Sequence, residues 1–87
     1  MYVILVYDVA QKRVGKMLKL SRKYLCWIQN SVFEGELSEA KLRELKSQIG
    51  SIIDADTDSV IIFMNKMSYN MDKEILGKER MSTDNFL

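Results

Sequence analysis

Three observations predict an α+β fold in which two helices lie on one face of an antiparallel sheet. The chain opens on an uninterrupted apolar run, Tyr2 to Tyr7. Two later stretches, 12–25 and 38–53, place apolar side chains at helical spacing. Around them lie strand-like stretches at 27–36 and 59–65, with a weaker one at 73–77. The order is β, α, an interrupted β stretch, α, β, β, which is that of the split βαβ, ferredoxin-like arrangement. One face of such a sheet carries no helices. A first strand that is apolar on both sides predicts that a second copy covers that face, giving a homodimer through the sheets. Residues 1–78 then form one domain, and residues 79–87 a C-terminal tail, ending on the apolar pair Phe86 and Leu87, that docks on the partner subunit.

Each element has a local cause. Residues 2–7 are too uniformly apolar for a half-exposed strand and read as a central one. In the first helix Val14, Met17, Leu18, Ser21 and Leu25 make one apolar face, and the basic residues occupy the rest of its surface. The stretch WIQNSVFEGE, 27–36, reads as a strand whose alternation slips between Ile28 and Phe33, which predicts a bulge, with Gly35 as a second candidate. Ser38 is an N-cap for the second helix, and Leu37 can staple onto Leu42. Leu42, Leu45, Ile49 and Ile52 form its buried face, Glu39 can pair with Arg43, and the helix is expected to end near Ile53. Residues 59–65, SVIIFMN, form a continuous apolar strand. Cys26, next to Trp27, reads as core, and the six Met residues as core or interface filler.

Composition narrows the chemistry. At 87 residues the chain suits one small domain, of a size that buries only about 60% of the surface its unfolded chain exposes. There is no Pro, and only four Gly, so no linker is signalled. The apolar opening precedes the first charge and is far too short to span a bilayer, so neither a signal peptide nor a membrane span is expected. A single cysteine suits a reducing, cytoplasmic setting. The chain has no His, which excludes Ser-His-Asp and Cys-His nucleophilic sites and every imidazole metal ligand. An enzyme of this composition would rely on carboxylates and a hard metal ion.

Net charge is +1 but unevenly spread: residues 1–33 hold one acid, Asp8, against six bases, Lys12, Arg13, Lys16, Lys19, Arg22 and Lys23. Such a local field draws phosphates even when the total charge is small. A bare solvated helix face is the alternative for these six, and the lack of any acid from 12 to 23 favours phosphate contact. Asp8 stands where the first strand turns toward this helix, a position where an Asp usually caps or makes an Asx-turn. A homodimer gives it a second possibility, because a two-fold axis near the strand ends would bring two Asp8 side chains together. Mg²⁺ takes one or two carboxylates with waters and phosphate oxygens. Arg13 could grip a phosphate by two hydrogen bonds. The stretch DADTDS, 54–59, begins like a calcium loop, but Ser59 stands where Gly is needed and Asn65 where Glu is needed, so an acidic connection is expected.

Tyr7-Asp8 at the end of the first strand, Arg13-Val14 opening the helix, and QNSVFEG at 29–35 together resemble the small CRISPR-associated adaptation nucleases, the "Cas-two" family. The similarity covers roughly residues 1–78. It implies a ferredoxin-like homodimer with metal-dependent endoribonuclease activity, in some members directed at duplex DNA, and a role as the bridge between integrase dimers during spacer insertion. It also implies that Asp8 is the ligand of Mg²⁺, with Mn²⁺ as a substitute, and that Tyr7, Arg13, Ser31 and Phe33 support the catalytic site or the interface. Trp27 stands where a basic residue often occurs. Two function classes follow, a phosphodiesterase with a metal shared at Asp8 and a non-catalytic adaptor that binds duplex DNA and an integrase. A ribonuclease toxin of a plasmid-maintenance pair shares the same fold.

Overall fold

The computed structural model describes residues 1–67, 72 and 74–80. Six elements follow in order: β1 (Tyr2–Asp8), α1 (Gln11–Tyr24), β2 (Cys26–Gln29), β3 (Val32–Glu36), α2 (Glu39–Ile52) and β4 (Ser59–Asn65). The strands form one sheet in the order β2-β3-β1-β4, with every neighbouring pair antiparallel. The apolar opening run is thus a central strand, as its composition requires. Val3, Leu5 and Tyr7 of β1 join Phe33, Met17, Leu20, Leu25, Leu42, Leu45 and Ile49 in one buried cluster, which places both helices on the same side of the sheet. Alternation sends Ile4, Val6 and Asp8 to the other side. There Ile4 lies beside Phe63, and Val6 beside Ile61. Phe63 and Ile61 are 56% and 50% exposed, so this open face is apolar and accessible.

α2 forms as its sequence predicts. The Ser38 hydroxyl accepts from Lys41 N at 3.1 Å, Leu37 and Leu42 are both buried, and Ile53 is the C-cap. The expected Glu39–Arg43 pair does not form; among the described residues the helix makes Lys41–Glu44 instead, at 3.5 Å. In α1 the buried positions are Met17, Leu20 and Ser21, with Leu25 at the cap, whereas Val14 stays 39% exposed. The core stripe is thus turned slightly from the predicted one, toward Leu20.

Residues 27–36 are not one bulged strand but a hairpin. Asn30 and Ser31 form its turn, and Asn30 adopts φ +46°, a left-handed conformation that Asn tolerates better than most residues. Trp27 Nε1 donates to Asn30 O at 3.0 Å, bracing the turn. The register irregularity lies between Trp27 and Gln29, so the slip in alternation has a turn as its main cause. The register across Gly35 is regular. Its glycine serves a close approach, because a Cβ there would stand 3.1 Å from Leu25 Cδ2.

The hairpin also explains why Cys26 is exposed rather than in the core. Trp27 pairs with Phe33 and packs on the core, so its neighbour Cys26, opposite Glu34, takes the open face. Of the Met residues, Met17 is fully buried but Met64 and Met67 are more than half exposed. The weak strand expected at 73–77 does not appear in residues 74–77, which are irregular, with Gly77 at φ +92°. Lys73 and the tail residues 81–87 lie outside the described residues.

Candidate nucleic-acid and metal site

Asp8 is the last residue of β1, in register with Ser59 of β4. It is exposed, and its carboxylate makes no hydrogen bond or ion pair with any described residue. The ordinary role for an Asp at this place would be to cap the following helix. α1 instead has Ala10 at its N-cap, whose own side chain makes no capping hydrogen bond, and no acid in the first turn. Asp8 is therefore left available at the rim of the open face, in line with Val6 and Ile4.

The cap is supplied from 48 residues away. Asp58 Oδ1 accepts from Ala10 N at 2.9 Å and from Arg13 Nη2 at 3.1 Å, while its Oδ2 accepts from Arg13 Nε at 2.5 Å and from Asp54 N at 2.9 Å. The Asp58 carboxylate has no solvent exposure, and the Arg13 side chain only 16%. With the Thr57 hydroxyl as a longer fifth donor to Oδ1 at 3.4 Å, the carboxylate is saturated. The acidic connection at 54–59 is thus a tight turn built round one buried Asp, and Asp54 Oδ1 accepts from Asp56 N within it. The sequence marks 54–59 only as an acidic connection and does not single out Asp58. The available signal is indirect: a basic helix start with no capping side chain of its own needs a carboxylate from elsewhere.

The Arg13 guanidinium beside Asp58 holds that carboxyl well below the usual carboxylate range, against the opposing effect of burial and with help from the Asp54 and Ala10 backbone N–H groups. The same hydrogen bond raises the pKa of Arg13. A depressed folded-state pKa contributes stability that is fully present above the unfolded value, about 3.9, and lost as pH falls through the folded one. Melting of wild-type and Asp58→Asn protein is expected to show the wild type higher, by a margin that holds down to about pH 4 and narrows below it. A margin constant to pH 2 would show that the charge of Asp58 is not its source.

Tyr7 and Phe33 stack at 6.1 Å between ring centroids, and both are in the core beneath the helices. Neither ring lies on the open face of the sheet. Burial raises the Tyr7 pKa, and a hydrogen bond with the Ser31 side chain and the charge of Arg22 work against that rise. Tyr7 N also donates to Ser31 O at 3.2 Å, which ties the end of β1 to the hairpin turn. Of the expected supporting residues, Tyr7, Ser31 and Phe33 thus form one group behind Asp8, and Arg13 is committed to Asp58.

The remaining bases of α1 are all exposed. Lys12, Lys16, Lys19 and Lys23 recur at four-, three- and four-residue steps, which puts them on one stripe of the helix, with Arg22 to its side. Among the described residues no group of three or more His, Cys, Asp or Glu could hold a metal. Asp8 offers a single, unengaged carboxylate, which fits a hard ion that keeps most of its waters and takes phosphate oxygens as further ligands. No helix among the described residues is long and apolar enough to cross a membrane.

The model of a protein family described as "CRISPR associated protein Cas2" matches residues 1–72. A protein of Dictyoglomus turgidum named CRISPR-associated endoribonuclease Cas2 is 48% identical over 87 residues, covering all of both chains. One of the same name from Thermotoga maritima is 50% identical over 80 residues, covering 92% of each. A solved structure described as a crystal structure of Cas2 superposes with a TM-score of 0.85 at 46% identity, covering 95% of this chain and 93% of the other. The Cas2 of Streptococcus pyogenes superposes with a TM-score of 0.78 at 32% identity, covering 88% of this chain and 100% of its own.

Proposed function

This chain belongs to the CRISPR-associated Cas2 family, and from that premise we propose that it is a metal-dependent endoribonuclease that works as a homodimer. What carries the reading is Asp8: an exposed carboxylate with no partner among the described residues and no capping duty, at the rim of an exposed apolar sheet face. A second copy packed on Ile61, Phe63 and their neighbours would bury that face and contribute a second Asp8. The names of the relatives supply RNA as the substrate class. When bound, Mg²⁺ or Mn²⁺ would polarise the phosphodiester and lower the pKa of an attacking water. Asp8 would hold the ion, and the lysine stripe of α1 would hold the phosphate backbone. Tyr7, Phe33 and Ser31 would support the strand end from behind. The tail from residue 79 onward would dock on the partner, and the dimer would act in the cytoplasm.

The test joins two measurements on one preparation. Cleavage of an RNA oligonucleotide is expected to stop with EDTA and return with Mg²⁺ or Mn²⁺, and sedimentation at micromolar concentration is expected to show a dimer. Cleavage indifferent to EDTA, or a stable monomer, would defeat the reading.

A second reading has its own support. One candidate catalytic acid per chain, Asp8, with Tyr7 and Phe33 in the core and Arg13 engaged, is a sparse catalytic apparatus, and it suits an adaptor that binds duplex DNA and bridges integrase subunits. Both readings use the lysine stripe. Backbone binding releases counterions, so removing one lysine–phosphate pair from a duplex DNA complex is expected to lower the log K against log salt slope by about 0.9. Replacing Lys16, Lys19 and Lys23 together by Gln is expected to weaken binding and flatten that slope for any sequence, without a folding defect, because Gln keeps helix propensity. Wild-type affinity and slope in this variant would make the stripe a solvated face.

A further inference from the structure

We propose that Asp58 is a positioning residue for Asp8, the clasp that fixes where the metal-ligating carboxylate stands; this rests on the reading that Asp8 holds a divalent ion. Two attachments bracket Asp8. On one side Ser59, the residue after Asp58, is its register partner at the last rung of the β1–β4 ladder. On the other side Ala10, two residues beyond Asp8, donates its N–H to Asp58 Oδ1 at 2.9 Å. The same carboxylate takes Arg13 Nε and Nη2 from the first turn of α1, and Asp54 N from the α2–β4 turn. One inaccessible side chain thus joins the exit of β1, the start of α1 and the approach to β4.

The clasp matters because Asp8 has no side-chain partner of its own among the described residues. A ligand oriented by hydrogen bonds to its carboxylate is held locally. Asp8 is held only through its backbone, at a strand end where fraying is easiest, and a metal site on a single protein carboxylate depends on where that backbone lies. The arrangement also gives Arg13 a role other than gripping phosphate, since two of its N–H groups face Asp58 and Nη2 also donates to Thr57 Oγ1 at 3.3 Å.

Two variants test the clasp. Asp58→Asn keeps one oxygen acceptor but turns an N–H toward donors. Arg13→Gln leaves the bonds from Ala10 and Asp54 in place and serves if the first variant fails to fold. Two readouts need no cleavage: amide hydrogen exchange at Val9 and Ala10, and Mn²⁺ affinity measured by titration without nucleic acid. Both variants are expected to exchange faster at these amides and to bind Mn²⁺ more weakly, by about threefold or more, below the 10–100-fold typical when a ligand's own hydrogen-bond partner is removed. For Asp58→Asn, cleavage at saturating Mg²⁺ is expected to recover most of its wild-type rate, which a general loss of folded protein would not allow.

Asp8→Asn is the control. If it leaves Mn²⁺ affinity unchanged, the metal reading fails and the clasp has nothing to position. If it abolishes Mn²⁺ binding while the folded clasp variants keep wild-type affinity and wild-type exchange, the clasp proposal alone is overturned.

Discussion

Asp8→Asn protein is expected to lose metal-dependent RNA cleavage by about two to three orders of magnitude while melting close to the wild type. Asn matches Asp in size but lacks the charge that a hard divalent cation requires. Lewis-acid stabilisation by a bound metal is worth several kcal/mol, and about 1.4 kcal/mol corresponds to tenfold in rate, which sets the size of the loss. Stability is expected to change by no more than about 0.5 kcal/mol, as for other exposed substitutions that break no network, because no described residue bonds to the Asp8 carboxylate and α1 is capped without it. Initial rates on an RNA oligonucleotide, with melting curves on the same samples, check both halves. An unchanged rate would place the activity elsewhere in the chain or in a contaminant. A variant that cleaves nothing yet still supports spacer integration would favour the adaptor.

Phe33→Ala is expected to be the most destabilising single substitution of a candidate site residue, by about 3–5 kcal/mol. Phe33 has no solvent exposure, stacks on Tyr7, and pairs with Leu5 on one side and Trp27 on the other. A small domain has only about 5–15 kcal/mol of stability in total, so the variant is expected to be largely unfolded at growth temperature or close to it. Phe33→Leu nearly conserves volume and is expected to cost about 1.5 kcal/mol or less. Urea denaturation gives the two stabilities, and cleavage by the Leu variant separates the roles. A folded Leu variant with wild-type cleavage makes Phe33 a core residue. A folded but inactive one means that the ring itself serves the reaction through Tyr7 and Ser31.

The elements legible in the sequence are those with local causes. β1 follows from six consecutive apolar residues, and α2 from Ser38, Leu37 and an apolar face at 42, 45, 49 and 52. Caps, staples and periodicity act within a turn or two, so they can be read without knowing what lies opposite. Asp8 is legible in the same way, as a lone carboxylate closing an apolar strand. The hairpin is less so: Asn30-Ser31 carries no Gly, and only the left-handed Asn30 turn distinguishes two short strands from one bulged strand.

Features that depend on residues far apart in the chain are set by the fold. Cys26 is exposed because Trp27 takes the core side opposite Phe33, a matter of register. Asp8 is free of capping because Asp58, 45 residues after Arg13, closes the start of α1 instead. From the sequence alone, Arg13 reads as a phosphate ligand and Asp58 as a loop acid, since each is an ordinary charge on an ordinary surface stretch. They become a half-buried ion pair only when β4 returns beside β1 and carries the α2–β4 turn to the first turn of α1. Charge and spacing are properties of the chain, whereas the partner that neutralises a charge is chosen by the fold that brings two distant segments within hydrogen-bonding distance.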